Sequence, residues 1–247
     1  MAETRVETFT DVDLTDALVI VAFPSTGAAS PIAGAYLMER LDMPLVGHLV
    51  SDAFSGIVNI EDGKATSPIR IHGGEVACEL DKPCRGIYII STEVPLPLEV
   101  TVEAAHAILE WAKDARVVLA LEAVVRESGD DTPDVYSAFR DDASKACIEP
   151  AGVEPIGRAM IAGMTAVLLA SDLPAKVASL MVEAAPDHPD GRAAAALITA
   201  LDPLIPQIKV DAQPLLEDAM RLEQEIQAAM TQAEQAQSPR RTSHSFI

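Results

Sequence analysis

Two kinds of apolar pattern alternate along this chain, and together they predict an α/β protein. Leu18–Phe23 is a continuous apolar run rich in Val and Ile, as expected of a strand buried on both faces. It breaks at Pro24-Ser25-Thr26-Gly27. From Pro31, apolar residues return at helical spacing through Ile32, Tyr36 (with Ala35), Leu37 and Leu41, predicting a helix that ends near Arg40. Pro44–Ser51, Gly86–Thr92, Val117–Val125 and Val177–Val182 read as further buried strands. Val135–Phe139, Val76–Leu80 and the extended piece Val153–Ile156 are shorter strand candidates, and residues 1–16 read as an edge segment. Gly56–Ile60 and Ile69–His72 alternate about Glu61-Asp62-Gly63-Lys64, which predicts a hairpin with a loop longer than two residues.

Helices are predicted over Val100–Lys113, which is amphipathic, over Asp141–Ile148, and over Met160–Ala170, apolar enough to be buried on most sides. Gly191–Leu201 follows the turn Pro186–Asp190, with Asp190 placed to cap it. Strand and helix alternate along most of the chain, so the expected fold is a mainly parallel central sheet flanked by helices. No internal repeat is evident.

Asp211–Gln237 has a different pattern. Leu215, Ala219, Leu222, Ile226, Ala229 and Ala233 step by four and three, a heptad stripe on an otherwise Glu- and Gln-rich helix. So short a seam needs a partner surface, either its own domain or another chain. Ser238–Ile247 is polar, basic and broken by proline, which reads as a disordered tail, yet it ends in the apolar pair Phe246-Ile247. The expected organisation is therefore an α/β core over 1–205, a helical segment over 206–237 and a tail over 238–247.

Charge narrows the function classes. The 247 residues carry 38 Asp and Glu against 18 Lys and Arg, a formal net charge of −20. Nucleic acid is a poor partner for such a surface, because its phosphates call for Lys and Arg. The cations are 12 Arg and only 6 Lys. An acidic, Lys-poor, Ala-rich chain points to a cytosol of high salt, where screening makes self-repulsion tolerable. Met1–Asp16 is acidic and polar rather than signal-like, and no apolar run approaches the roughly 20 residues of a membrane span. The chain reads as soluble and cytoplasmic. Cys78, Cys84 and Cys147 form no CxxC pair, which argues against a disulfide framework or a structural zinc site.

The candidate chemistry is sparse. A strand followed by a Ser-, Thr- and Gly-rich loop and a helix is where α/β proteins place ligands, so Ser25, Thr26 and Gly27 form a candidate ligand loop for phosphate or a nucleoside. The loop has neither the GK[ST] of a P-loop nor dinucleotide-fingerprint spacing, and no Lys or Arg lies between Arg5 and Arg40. Arg70, Arg85 and Arg158 are the cations that the fold would have to bring to it. Tight-turn and helix-start duties explain Gly27 and Pro31, near the first helical position, structurally, and that is the favoured reading of the loop. Ser25 follows a strand but lacks the glycines of a nucleophile elbow. Asp187, His188 and Asp190 lie too close together in a Pro-rich turn to have ligand spacing, and turn and cap duties explain them. His48, His72 and His106 read as packed or surface residues. No catalytic, metal or cofactor motif is present, and the chain reads as a non-enzyme without a cofactor.

One order of motifs resembles a known family. Phe23-Pro24-Ser25-Thr26-Gly27 precedes Gly34-Ala35-Tyr36-Leu37-Met38-Glu39, and Leu45-Val46-Gly47-His48 follows in step. Gly157–Gly163 precedes Leu168-Leu169-Ala170, and then come Pro186–Ala196. Over about residues 15–235 this is similar to the PAC2 family, the archaeal and bacterial relatives of the proteasome assembly chaperones. The resemblance implies a phosphorylase/hydrolase-like fold, homo-oligomers and a carboxy-terminal helical region. It also implies ATP-independent chaperone action on proteasome α-subunits. Some members dock a tail that ends hydrophobic-Tyr-any between α-subunits. Here the end is Ser245-Phe246-Ile247, which keeps the penultimate aromatic but not the tyrosine or the hydrophobic residue before it. The implied partner-binding residues are Phe246 and Ile247 of the tail and Leu215, Leu222 and Ile226 of the seam. The rival expectation is a phosphorylase-like enzyme or small-molecule binder that uses the 24–30 loop.

Overall fold

The computed structural model describes residues 4–52, 57–61, 63–75, 86–126, 133–205 and 210–218. In chain order the strands are β1 (Arg5–Thr8), β2 (Leu18–Ala22), β3 (Leu45–Val50), β4 (Asn59–Glu61), β5 (Lys64–Thr66), β6 (Arg70–Glu75), β7 (Gly86–Ser91), β8 (Val117–Val125), β9 (Val135–Phe139) and β10 (Val177–Ala184). The helices are α1 (Ala29–Arg40), α2 (Leu98–Trp111), α3 (Asp142–Ile148), α4 (Met164–Ala170) and α5 (Gly191–Leu201). One eight-stranded sheet runs in the order β1-β3-β6-β7-β2-β8-β10-β9.

The four most apolar strands form its centre. β2 pairs parallel with β7 and β8, and β8 pairs parallel with β10. Both flanks are antiparallel: β6, β3 and β1 succeed one another beyond β7, and β9 lies beyond β10. The outer edges are blunted. β1 is four residues long and carries the Arg5–Glu7 ion pair. The backbone of β9 exchanges hydrogen bonds through Ser137 with Glu154 (2.8 Å) and Ile156 (2.9 Å), so the extended piece Val153–Ile156 covers that edge.

Strand alternation divides the sheet's side chains between two cores. Leu18, Ile20, Ile89, Leu119 and Leu180 face α1 and α5, which meet them with Ala33, Leu37, Ala194 and Leu197. Val19, Val21, Ile90 and Val118 point the other way, against Ala104, Ile108 and Leu109 of α2 and Leu168 of α4. The product is a three-layer α/β/α sandwich. With few aromatics, the layers approach closely on small residues. A Cβ at Gly34 of α1 would lie 2.6 Å from Cβ of Ala22, so the helix lies almost directly on β2 there.

Several elements depart from expectation. α1 starts at Ala29, so Pro31 is its third residue, still within the first turn where a missing N–H is tolerated. The predicted hairpin of Gly56–Ile60 with Ile69–His72 does not form. Ile69–His72 belongs mostly to β6 in the main sheet, and a separate hairpin pairs β4 with β5. Its register sets Glu61 opposite Lys64, which leaves a two-residue loop; Gly63 supplies the positive φ (76°) that such a turn needs. Met160 starts no buried helix. Its side chain is 98% exposed, and α4 begins only at Met164, after Gly163 turns the chain with φ 81° and ψ −151°. The strand candidate Val76–Leu80 lies outside the described residues, as do Cys78 and Cys84.

The close approach of α1 to β2 predicts a specific sensitivity. Gly34→Val overpacks that contact and is expected to lower stability by about 2–3 kcal/mol. Ala35→Val, on the exposed side of the same helix, should cost under about 1 kcal/mol. Denaturant melts of the two variants test this.

Candidate functional site

The carboxyl ends of the parallel strands β2, β8 and β10 meet at one edge of the sheet, where open α/β sheets place their ligands. The loop after β2 holds Ser25 in extended conformation, then makes one 3-10 turn over Thr26–Ala28 with Gly27 at φ 60° and Ala28 at φ 49°. Glycine is required at position 27 by packing as well as by conformation. A Cβ there would lie 2.7 Å from the carbonyl oxygen of Ala185 and 3.0 Å from Cβ of Asp190.

Asp190 is the latch of this edge. One carboxylate oxygen accepts the Ala193 N–H at 2.9 Å and caps α5. The other accepts the Ala185 N–H at 2.9 Å and the Arg126 guanidinium at 3.3 Å. Its backbone N–H donates to the carbonyl of Gly27 at 2.7 Å. The pair is desolvated, with side-chain exposures of 18% for Arg126 and 2% for Asp190.

Beside the latch opens a recess of about 450 Å³, lined by Pro24, Ser25 and Thr26, by Glu122–Val125 of β8, and by Met160–Ala162. That volume falls in the range of small-molecule sites. Among the described residues, its one ionisable lining residue is Glu122. The carboxylate accepts its neighbour Ala123's N–H at 3.0 Å and pairs with the Thr165 hydroxyl. No basic side chain among the described residues makes an ion pair with it. Burial holds its pKa above the ordinary glutamate value, against those two hydrogen bonds, which act to lower it.

The geometry speaks against phosphate. The three first residues of α1 offer little to an anion: the Ala29 N–H donates to the Thr26 carbonyl, the Ser30 N–H to the Ser25 hydroxyl at 3.3 Å, and Pro31 has none. Among the described residues, no Lys or Arg lines the recess. Arg70 pairs with Glu93 on the far flank, Arg158 is exposed on the 157–163 loop, and Arg85 lies outside the described residues.

Of the other residues singled out by sequence, Ser25 and Thr26 line the recess and Gly27 packs against the turn behind it. Asp187 and His188 share the turn with Asp190, and no group of three metal-ligating side chains occurs among the described residues. His48 stacks edge-on to Phe9 at 4.9 Å and approaches Glu7 at 3.6 Å; His72 is buried in β6, and His106 is exposed on α2. Leu215 is half-buried against the core that contains α1 and α5, and Tyr36 donates to the Asp211 carbonyl at 2.6 Å, so the start of the seam packs on its own chain. Leu222, Ile226, Phe246 and Ile247 lie outside the described residues. Sequence reasoning missed Glu122. Its only signal is a single charge inside the apolar run VVLALEAVV.

The family model described as the PAC2 family matches residues 19–230. The chain belongs to the PAC2 family. Among solved structures, this PAC2 protein is similar to Pyrococcus furiosus PbaA, described as an archaeal homolog of proteasome-assembly chaperone, with 27% identity, TM-score 0.79 and 94% of both chains covered. It shares its fold with P. furiosus PbaB, an archaeal proteasome activator, at 20% identity and TM-score 0.77, over 93% of this chain and 100% of that one. A PAC2 family protein from Streptomyces avermitilis matches at 19% identity and TM-score 0.66, over 86% and 95% of the two chains. A comparison with curated protein sequences finds no match.

Two stability measurements test this edge of the PAC2 protein. Asp190→Ala removes a helix cap and the carboxylate that Arg126 meets, and is expected to cost about 3–5 kcal/mol. Asp190→Asn keeps one acceptor oxygen but removes the charge and sets an NH2 against a buried N–H, so it should cost somewhat less than alanine, about 2–4 kcal/mol. Glu122→Gln acts in the opposite direction. A carboxyl whose pKa is raised on folding costs nothing below its unfolded value and destabilises increasingly as pH rises through the folded value. The glutamine variant should therefore melt at a higher temperature than wild type at pH 7. That gain should vanish as pH falls below the ordinary glutamate range.

Proposed function

We propose that this chain is a non-catalytic, ATP-independent assembly factor that acts in the cytoplasm as a homo-oligomer and binds proteasome α-subunits. The observation that carries the reading is the likeness to PbaA over nearly the whole of both chains, at an identity high enough to bear on more than fold. The Gly27 turn is engaged in holding the start of α5 through the Asp190 N–H, a structural duty for the candidate loop. Binding on this reading is by surface complementarity, with the seam from Leu215 through Leu222 and Ile226 and the tail at Phe246-Ile247 as the contacting elements. The exposed Ile57, Val58 and Ile60 at the β4–β5 hairpin add apolar surface suited to a protein partner.

A second reading, small-molecule binding by the 24–30 loop, is supported by the recess that Ser25 and Thr26 line. The two readings are compatible, since the recess needs no catalysis.

The test is capture of recombinant proteasome α-subunits, in molar KCl and in dilute buffer, by the full chain and by a form that ends at Gln237. Retention by the full chain is expected, with several-fold weaker capture by the shortened form. If neither form retains α-subunits in either buffer, the assembly-factor reading fails. Capture and folding that hold only in molar KCl would support the high-salt origin suggested by the charge.

A further inference from the structure

The recess contains a problem of charge that its own residues do not solve. Glu122 enters it from a strand whose neighbours on both sides are buried. A carboxylate in that position has lost much of its hydration, and the groups that meet it are one backbone N–H and one hydroxyl. A cation at that point would gain from a lowered local dielectric, where an ion pair is stronger than in water. The rest of the lining suits the body of such a ligand. Pro24, Ala123, Val125, Met160 and Ile161 form apolar walls, and Ser25 and Thr26 line the same recess as the acid. Val125 and Met160 are exposed although large and apolar, and they form the lip of the opening. An anion would meet Glu122 with no compensating Lys or Arg among the described lining residues. A purely apolar ligand would bury the carboxyl without a new partner.

We propose that this recess binds an organic cation, an ammonium or guanidinium on a short alkyl stem, with Glu122 as its counter-charge, the hydroxyls of Ser25 and Thr26 as acceptors for its remaining N–H groups, and the Val125–Met160 lip against its stem. The same chemistry is offered by a free amine and by a Lys or Arg side chain of a bound protein. The site is independent of the proteasome reading, because its evidence is the lining alone.

The experiment is calorimetric titration of the full chain with agmatine and with cadaverine, at fixed ionic strength so that the net charge of −20 contributes equally throughout. Saturable binding of one molecule per chain is expected. Glu122→Gln should weaken it at least tenfold. Ala162→Trp, on the exposed loop that lines the recess, should block it to a similar degree while leaving the acid in place, which tests the recess independently of the charge. Asp187→Asn, an exposed acid outside the recess, should bind as wild type does. Repeating the α-subunit capture in saturating agmatine then separates the sources. Loss of capture assigns the recess to a partner's basic side chain, and unchanged capture assigns it to a free amine. Absence of saturable binding by either probe overturns the proposal, and so does wild-type affinity in both the Glu122→Gln and the Ala162→Trp variants. Neither result bears on whether α-subunits are captured.

Discussion

One buried carboxylate holds the functional edge of this molecule in shape. Asp190 joins three segments distant in sequence: the turn after β2 through the Gly27 carbonyl, the end of β8 through Arg126, and the β10–α5 connection through the N–H groups of Ala185 and Ala193. A carboxylate so buried is tolerable only because both oxygens and the backbone N–H are engaged. The consequence reaches the recess. Ser25 and Thr26 are held by the same turn that Gly27 anchors, so the position of one wall depends on a residue that never faces the cavity.

Glu122 and Asp190 show how one fold sets two acids to different uses. Both come from the carboxyl edge of the sheet, and both are largely withdrawn from water. Asp190 meets a guanidinium and two amides, so its charge is balanced within the chain. Glu122 meets an amide and a hydroxyl, and its pKa rises. Structural acids are compensated internally; an acid whose charge the chain does not offset is where a functional reading gains physical content. On a surface of net charge −20, exposed acids carry no such distinction.

The fold was largely readable from sequence because its central elements are locally consistent. Val117–Val125 and Val135–Phe139 form strands at the predicted bounds, and Asp190 caps α5 as its place before Gly191 suggests. Failures fell where apolarity and burial part company. Met160 and Ile161 are as hydrophobic as the helix after them, yet Gly163 sets them on an exposed loop. Ile57, Val58 and Ile60 alternate like a strand of the main sheet but belong to a hairpin region apart from it. The candidate site was half legible. Ser25, Thr26 and Gly27 were found from the strand–loop–helix pattern, whereas Glu122 needed the recess, since one charge in an apolar strand has no periodicity to betray its role.

The strand–loop–helix at Leu18–Arg40 has the outline of an anion site without the physics of one. Phosphate loops leave amide N–H groups free at a helix start and bring cations to them. Here the Ala28 N–H is bound to the Ser25 carbonyl at 3.0 Å, the Ala29 and Ser30 N–H groups are bound within the same turn, and proline removes the next donor. Among the described residues, the recess beside it is lined by an acid and by no base. With the amides at the helix start engaged, the described edge lacks the free donors and cations that an anion site needs. The same turn offers its Gly27 carbonyl to the Asp190 N–H, so a loop with the outline of an anion site serves to tie β2 to the start of α5.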